Sequence, residues 1–256
     1  MKWEEIDEII KPLMFDARKK VLQSFSQQLD VQTKSNKNDL VTNMDKAIEK
    51  FYIDNLHAKF PKAKILGEES QKDKFEDSTD LFFVIDPIDG TMNFVKQKAH
   101  FASMIAVFDH QKPVLGYIMD MTAGELYWGG PSVGVYRNFE KLQAPSNLSL
   151  ADGLIGMGLP MLLNPNSGMA DVARQSSGVR MYGSAGIEFI HVLNGETLGY
   201  VSKLHAWDYA AGKILAETLD LTVEAIDGTD INVLSSKVVL VATKNAQKQI
   251  NEIINA

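Results

Sequence analysis

The order of apolar and polar positions predicts a helical start, a strand-rich middle and an alternating end. Apolar residues recur near helical spacing between Trp3 and Gln28, which predicts an amphipathic helix that Pro12 either kinks or restarts. Short apolar or alternating runs follow one another from Leu81 to Tyr136, and polar connections of hairpin length separate the first three. The middle of the chain is therefore expected to consist mainly of strands.

Strand and helix patterns alternate in the last part of the chain, which is typical of an α/β arrangement. Strands are expected at 154–157, 179–182, 199–201 and 238–242, and helices at 169–175, 185–193 and 207–219. The expected boundary is Pro145-Ser146-Asn147. Residues 1–145 would then form an α+β domain with most of the metal ligands, and residues 146–256 an α/β domain.

Another helix is expected after Thr42, which resembles a helix cap. Asp45 takes the third position after it, the spacing of a capping box, although Glu or Gln is preferred there. The polar stretch from Thr33 to Asp39 precedes this helix and is expected to be a loop.

Composition and charge narrow the class of protein. The chain has 256 residues, of which 45% are hydrophobic and 23% are charged, enough for a buried core. Its net charge is −7 and no cluster of Lys and Arg stands out, so no nucleic-acid partner is expected. The absence of cysteine excludes disulfides and thiolate metal sites. The first residues lack a signal-peptide pattern and no apolar run approaches the ~20 residues that span a bilayer, so we expect a cytoplasmic protein without a membrane partner.

The stretch Asp86-Pro87-Ile88-Asp89-Gly90-Thr91 directly follows an apolar run and carries the clearest chemical signal. A turn here would point both carboxylates and the Ile88 carbonyl at one spot, and such hard oxygen ligands suit Mg²⁺. Gly90 and Thr91 would offer backbone N–H groups to an anion. The alternative is an Asx-turn with solvated carboxylates, since Asp, Pro and Gly are common turn residues.

Two further acidic segments favour a metal site over an Asx-turn with solvated carboxylates. Glu68 and Glu69 follow a short apolar run within Gly67-Glu68-Glu69-Ser70, and Asp208 stands at the start of an expected helix, where its alternative role is an N-cap. Glu68, Asp86, Asp89 and Asp208 together could supply the carboxylates of a site for two or three metal ions.

These segments, in this order, resemble the inositol monophosphatase family, part of a superfamily of lithium-sensitive, Mg²⁺-dependent phosphatases. The resemblance covers nearly the whole chain; its carrying segments are Asp39-Leu40-Val41-Thr42 with Asp45, Gly67 to Ser70, Asp86 to Phe94, and Trp207-Asp208 with Ala210 and Gly212. It implies a layered α-β-α-β-α sandwich of the sugar-phosphatase type, with the site between the two halves, and a homodimer.

The resemblance also implies metal ligands. Glu68, Asp86 and the Ile88 carbonyl match those of a first Mg²⁺, and Asp86, Asp89 and Asp208 those of a second, so that Asp86 bridges. Lys34, Lys37 and Asn38 lie in a loop that in the family approaches a third, weaker metal, although a solvated loop is favoured here. His205, three residues before Asp208, is expected to be structural rather than a ligand.

Catalytic and substrate-binding roles follow from the same resemblance. Glu68 and Thr91 match the pair that orients the attacking water, with Asp45 as the hydrogen-bond partner of Thr91. The substrate would contact Asp89 and the backbone of Gly90 and Thr91, and, in the second half, Gly183, Ser184 and Ala185.

Selectivity is expected to depend on the strand before Asp208. Animal members of the family usually carry an acidic residue seven positions before that aspartate, where it accepts hydrogen bonds from inositol hydroxyls. Here the position is Val201, and Lys203 is expected to share its strand face. The resemblance therefore implies a phosphomonoesterase that hydrolyses myo-inositol monophosphate by in-line attack of an activated water, with loose selectivity. The alternatives are a phosphatase acting on fructose 1,6-bisphosphate, NADP(H) or phosphoadenosine nucleotides, and a non-catalytic protein that binds phosphate or metal.

Overall fold

The first half begins with two helices joined through a small two-stranded ribbon. A computed structural model describes residues 3–26, 29–33, 40–70, 80–229, 231 and 236–255. Helix α1 (Trp3–Ser24) continues through Pro12, which lies on its exposed side, and it ends four residues before the expected position. Strands β1 (Val31–Thr33) and β2 (Leu40–Thr42) pair antiparallel. The polar loop at 34–39, with Lys34, Lys37 and Asn38, lies outside the described residues.

Helix α2 (Asn43–Lys59) has the expected capping box. The Thr42 hydroxyl accepts hydrogen bonds from the N–H groups of Met44 and Asp45, and the Asp45 carboxylate accepts one from Thr42 N–H at 2.8 Å. Aspartate therefore serves here in place of the usual Glu or Gln.

Seven strands form the first sheet, in the spatial order of their numbering. Only the pair β3–β4 is parallel. The strands are β3 (Lys64–Gly67), β4 (Leu81–Asp89), β5 (Ala102–Asp109), β6 (Lys112–Asp120), β7 (Glu125–Gly130), β8 (Gly134–Arg137) and β9 (Glu140–Lys141). Helix α3 (Thr91–Gln97) starts two residues after β4 ends. The expected strands between Leu81 and Tyr136 are confirmed.

Five strands form the second sheet, in the order β11-β10-β12-β14-β13. Strand β10 is parallel to β11 and β12, and β14 is antiparallel to both of its neighbours. The strands are β10 (Leu154–Met157), β11 (Gly178–Arg180), β12 (Gly199–Leu204), β13 (Thr222–Ala225) and β14 (Lys237–Ala242). A 3₁₀ turn (Leu150–Asp152) precedes them, and the helices of this half are α4 (Leu159–Leu163), α5 (Met169–Gln175), α6 (Ala185–Leu193), α7 (Ala206–Thr218) and α8 (Lys244–Ile254).

Three apolar cores hold five layers together. The first core lies between helices α1 and α2 and one face of the seven-stranded sheet. The second contains α6 and α7, which pack between the two sheets, and the third lies between the five-stranded sheet and helices α4, α5 and α8. The expected α-β-α-β-α sandwich is confirmed. No helix in the described part of the chain is both long enough and apolar enough to cross a bilayer.

Candidate active site

The two carboxylates of the Asp86–Thr91 stretch lie at the end of β4, around an irregularity in its pairing with β5. Asp86 pairs with Met104 and Asp89 with Ala102, so β4 has one residue more than its partner over this interval. The expected turn is therefore a β-bulge within the strand. A bulge re-aims side chains and tolerates the missing N–H of Pro87, which explains how residues three apart contribute to one cluster.

Asp86 is the most deeply buried charged group of this cluster. Its side chain is 1% exposed, and within the described residues its Oδ1 atom has no hydrogen-bond partner. One carboxylate oxygen from each of Asp86, Asp89 and Asp208 lies within 4.8 Å of the others. Burial raises the pKa of Asp86 well above its usual range, and the negative charge of Glu68 contributes most among its charged neighbours. A buried carboxylate oxygen without a donor, among other carboxylates, fits a divalent cation, which would supply the missing positive charge.

Asp89 has different surroundings, because the start of α6 faces it. Its Oδ1 accepts a hydrogen bond from Ala185 N–H at 3.0 Å, and its Oδ2 accepts bonds from Gly186 N–H at 2.6 Å and from the Ser184 hydroxyl. Burial raises the pKa of Asp89, and these three hydrogen bonds oppose that increase. Ser184 and Ala185 were expected to contact substrate; the structure shows them holding a predicted metal ligand.

Asp208 lies in the first turn of α7. It occupies the third helical position rather than the N-cap of the alternative interpretation, and its Oδ2 accepts a hydrogen bond from His205 N–H at 2.7 Å. The His205 ring stacks on Trp207, with 4.9 Å between ring centroids. This stacking agrees with the structural role expected for His205.

The predicted hydrogen bond between Thr91 and Asp45 is present. Thr91 Oγ1 lies 2.9 Å from Asp45 Oδ1 and 3.0 Å from the Ile88 carbonyl oxygen. Asp45 is fully buried; burial raises its pKa, while hydrogen bonds from Thr42 and Thr91 lower it. The capping box of α2 thus orients the carboxylate that holds the Thr91 hydroxyl.

A cavity of about 440 Å³ opens beside this cluster and is lined by two of its carboxylates and by residues at helix starts. Asp89 and Asp208 line it, together with Ser184, Tyr200 and Ser202. Leu159 and Met181 also line it and remain 54% and 43% exposed. The cavity is therefore polar near the carboxylates and apolar at its edge.

Comparison of this sequence with known proteins shows the family to which the chain belongs. The model of the inositol monophosphatase family matches residues 2–256. The chain belongs to the inositol monophosphatase family. An inositol-1-monophosphatase of Bacillus subtilis (strain 168) is 37% identical over 98% of this chain and 96% of its own length. Membership confirms the expected resemblance and makes the chain a phosphoric monoester hydrolase of the inositol monophosphatase type.

Two solved structures of the family show how closely the fold is shared. An IMPase/NADP phosphatase complexed with Mg²⁺ and phosphate has a TM-score of 0.92 at 28% identity, over 99% of this chain and 96% of that one. A dual specific IMPase/NADP phosphatase bound with D-inositol-1-phosphate has a TM-score of 0.92 at 26% identity, over 100% of this chain and 97% of that one.

The structure corrects the family-based expectation for β12. Tyr200, Ser202 and Leu204 line the cavity, whereas Val201 is fully buried in the outer core beneath α4, α5 and α8. Lys203 is exposed and follows Val201 by two positions, so it lies on the same outward face of the strand. The substrate contacts expected at Val201 and Lys203 therefore lie on the face of β12 that points away from this cavity.

Two buried acids near the site were missed by the sequence analysis. Glu49 follows Asp45 by one helical turn, is 2% exposed and accepts a hydrogen bond from Glu69 N–H at 2.8 Å. A side chain at Gly67 would overlap its carboxylate, so the glycine makes this contact possible. Helical spacing from Asp45 was a signal for Glu49. Glu188 lines the cavity, and burial raises its pKa to about 7.

Proposed function

We propose that this chain is a Mg²⁺-dependent phosphomonoesterase that hydrolyses inositol monophosphates. The observation that carries the proposal is the buried Asp86 carboxylate, whose Oδ1 has no partner within the described residues and which lies among two further carboxylates. A purely structural site would not leave such an atom without a donor, since an unsatisfied buried charge is costly.

The proposed metal ligands combine this carboxylate cluster with the positions that the family resemblance implies. Glu68, Asp86 and the Ile88 carbonyl would hold one Mg²⁺, and Asp86, Asp89 and Asp208 a second. These are carboxylate and carbonyl oxygens, the ligands that Mg²⁺ prefers. When bound, Mg²⁺ makes a water more acidic and offsets negative charge on phosphoryl oxygens.

The residues around Thr91 would orient the attacking water. The Thr91 hydroxyl donates its hydrogen to Asp45 or to the Ile88 carbonyl, so its lone pairs stay available to accept a hydrogen bond from a water. Glu68 would accept the second hydrogen as a general base. A pure binding protein has no need of such a pair, which argues against the non-catalytic alternative.

The start of α3 would hold the phosphate. Gly90 has a φ of +87°, a left-handed conformation that glycine adopts at no steric cost, and α3 begins at the next residue. The first N–H groups of a helix have no partner within it and point at this position. Phosphoryl transfer depends mainly on positioning and charge stabilisation, which this cradle and the carboxylates would provide.

A single comparison of variants tests the catalytic assignment. Phosphate release from inositol 1-phosphate should need Mg²⁺, stop with chelator, and fall ~10² or more in Glu68→Gln, since general-base assistance is lost while side-chain size is kept. Glu69→Gln is the matched control and should stay within about twofold of the parent. Equal turnover of the two variants would remove Glu68 from the mechanism, and a parent without Mg²⁺-dependent release would favour the non-catalytic reading.

NADP phosphatase activity is the second candidate, and the apolar edge of the cavity favours it. Leu159 and Met181 are large, exposed and border the space beside Asp89 and Asp208. Such a surface suits a flat nucleobase better than a polyol. We expect less than a thousandfold preference in kcat/KM for inositol 1-phosphate over NADP, fructose 1,6-bisphosphate and 2-glycerophosphate. A larger preference over all three would assign the chain to inositol phosphate alone.

Two finer features stay predictions from the family resemblance. They are inhibition by millimolar-range Li⁺ and a homodimer; a cytoplasmic location also stays a prediction, from the absence of cysteine and of a signal-peptide pattern. Measuring Li⁺ inhibition of phosphate release, and the molecular mass in solution, would test the first two.

A further inference from the structure

Two buried side chains from different parts of the chain form hydrogen bonds with the backbone of Tyr182. Asn93, on α3, donates from Nδ2 to the Tyr182 carbonyl at 2.6 Å, across 89 residues of sequence. Glu188, on α6, accepts a hydrogen bond from Tyr182 N–H on Oε1 at 2.8 Å. Both side chains are buried, at 6% and 1% exposure. The backbone N–H and the backbone carbonyl of Tyr182 are thus both held by buried side chains.

The turn that follows Tyr182 packs directly on the start of α3. Gly183 has a φ of +76°, and a Cβ there would lie 3.4 Å from the Asn93 amide. A Cβ on Gly90 would lie 2.8 Å from the Cβ of Ser184, closer than real contacts allow. Asn93 also donates to the His100 carbonyl at 2.8 Å, which fixes its amide. The phosphate cradle and this turn therefore cannot shift independently.

The same turn leads into the donors that hold Asp89. Ser184, Ala185 and Gly186 follow it without interruption, and each donates a hydrogen bond to the Asp89 carboxylate. A displacement of the Tyr182 peptide would move these three donors together. The orientation of Asp89 therefore depends on the hydrogen bonds that Asn93 and Glu188 form with Tyr182, although neither side chain bonds to Asp89 itself.

Burying the Glu188 carboxylate costs desolvation free energy, which a residue with only a packing role would avoid. It lies between α6 and the five-stranded sheet, and its second oxygen, Oε2, has no partner within the described part of the chain. Any side chain at Gly156 would overlap that oxygen. An apolar residue would fill this space without the desolvation of a carboxylate, so the acceptor itself is the useful feature.

We propose that Asn93 and Glu188 are positioning residues, which clamp the Tyr182 peptide so that the start of α6 orients Asp89 toward the second metal. This inference rests on the proposed function. Groups that orient a metal ligand typically change metal affinity by 10–100-fold when they are removed.

The test uses variants that keep volume and remove hydrogen bonds. Glu188→Met removes the acceptor of Tyr182 N–H, and Asn93→Leu removes the bonds to the Tyr182 and His100 carbonyls. Glu188→Met and Asn93→Leu should each raise the Mg²⁺ concentration for half-maximal phosphate release by roughly tenfold or more. Glu188→Gln keeps an acceptor for Tyr182 N–H and should stay within about threefold of the parent. Glu252→Ala, on the exposed side of α8, is the control for substitution alone. Calorimetric titration of Mg²⁺ into each metal-free protein without substrate gives a readout that does not depend on turnover.

The outcomes separate this inference from the proposed function. A parent that binds Mg²⁺ without releasing phosphate would contradict the proposed function, while the titration still tests the clamp. Folded Glu188→Met and Asn93→Leu with parental Mg²⁺ affinity would overturn the clamp. If Glu188→Met fails to fold, Asn93→Leu tests the other side of the same peptide. Weakening by Glu188→Gln equal to that by Glu188→Met would also overturn it, because the charge rather than the hydrogen bond would then matter.

Discussion

The regions around Asp86 and around Asp89 have opposite electrostatic character, although the two residues are only three positions apart on β4. Asp86 faces other carboxylates and has an oxygen without a hydrogen-bond partner in the described structure. Asp89 faces a hydroxyl and two N–H groups at the start of α6. The first region accumulates negative charge, and the second provides donors that offset it.

This difference separates two ways of building a metal site. In the proposed site, the negative charge around Asp86 would be left for a cation to neutralise, so the metal-free state would carry unfavourable buried charge. Around Asp89 a helix start stabilises the carboxylate before any metal arrives, because N-terminal N–H groups and the helix dipole favour an anion. Neutralising each aspartate should therefore affect the metal-free protein in opposite directions.

The largest effect is expected for Asp86→Asn. Activity should fall by roughly 10³ or more, since a bridging ligand supports several kcal/mol of charge stabilisation and each 1.4 kcal/mol is about a factor of ten. In chelator the same variant should be at least as stable as the parent, because burial and neighbouring charges raise the pKa of Asp86 and penalise its ionised form. Steady-state kinetics and urea unfolding measure the two effects. A variant that is clearly less stable in chelator would contradict the proposed contrast.

A smaller, pH-dependent effect is expected for Glu188→Gln. Burial raises the pKa of Glu188 from 4.5 to about 7. Because this pKa is higher in the folded state, the parent loses stability relative to the variant as pH rises from 4.5 to about 7, and the difference is constant above that. The total change is up to roughly 3 kcal/mol. Urea unfolding in chelator at several pH values measures it, and a stability difference that does not vary with pH would rule out this titration.

The smallest effect is expected for the pair Asp89→Asn and Asp208→Asn. Both should raise the Mg²⁺ requirement, since each removes one anionic ligand. Only Asp89→Asn should also lower metal-free stability markedly, by about 1–3 kcal/mol, because an amide turns one donor toward the N–H groups of α6. The amide introduced by Asp208→Asn would keep an acceptor for the backbone N–H of His205. Equal losses of stability in the two variants would show that the N–H groups at the start of α6 do not stabilise the Asp89 carboxylate more than the start of α7 stabilises Asp208.

Local signals in the sequence account for most of the fold and for the metal cluster. An apolar run that ends in acids indicated Asp86, which the structure places in the carboxylate cluster, and the Thr42–Asp45 spacing gave the start of α2. These features are local because each depends on residues within one strand or one helical turn. The layered architecture followed from the family resemblance rather than from these patterns.

The remaining features depend on contacts between distant segments. The bulge at Pro87 and Ile88 arises from pairing with β5, and the face of Val201 arises from how β12 packs between two layers, so neither could be determined from spacing alone. Asn93 belonged to the quoted motif, yet its partner Tyr182 lies in the other half of the chain. A motif shows which residues are close in sequence, but it does not show which distant backbone groups their side chains contact.

The middle layer of the sandwich has a consequence for synthesis of the chain. The first sheet is complete at Lys141, but α6, which covers its inner face together with α7, begins only at Ala185. At about 5–20 residues per second, a few seconds pass between these points on the ribosome. During that interval Phe82, Val84, Met104 and Ala106 form an uncovered apolar surface on the nascent chain. A ribosome-bound chaperone that binds apolar segments would find its target in the first half, and release would depend on the arrival of helices encoded in the second.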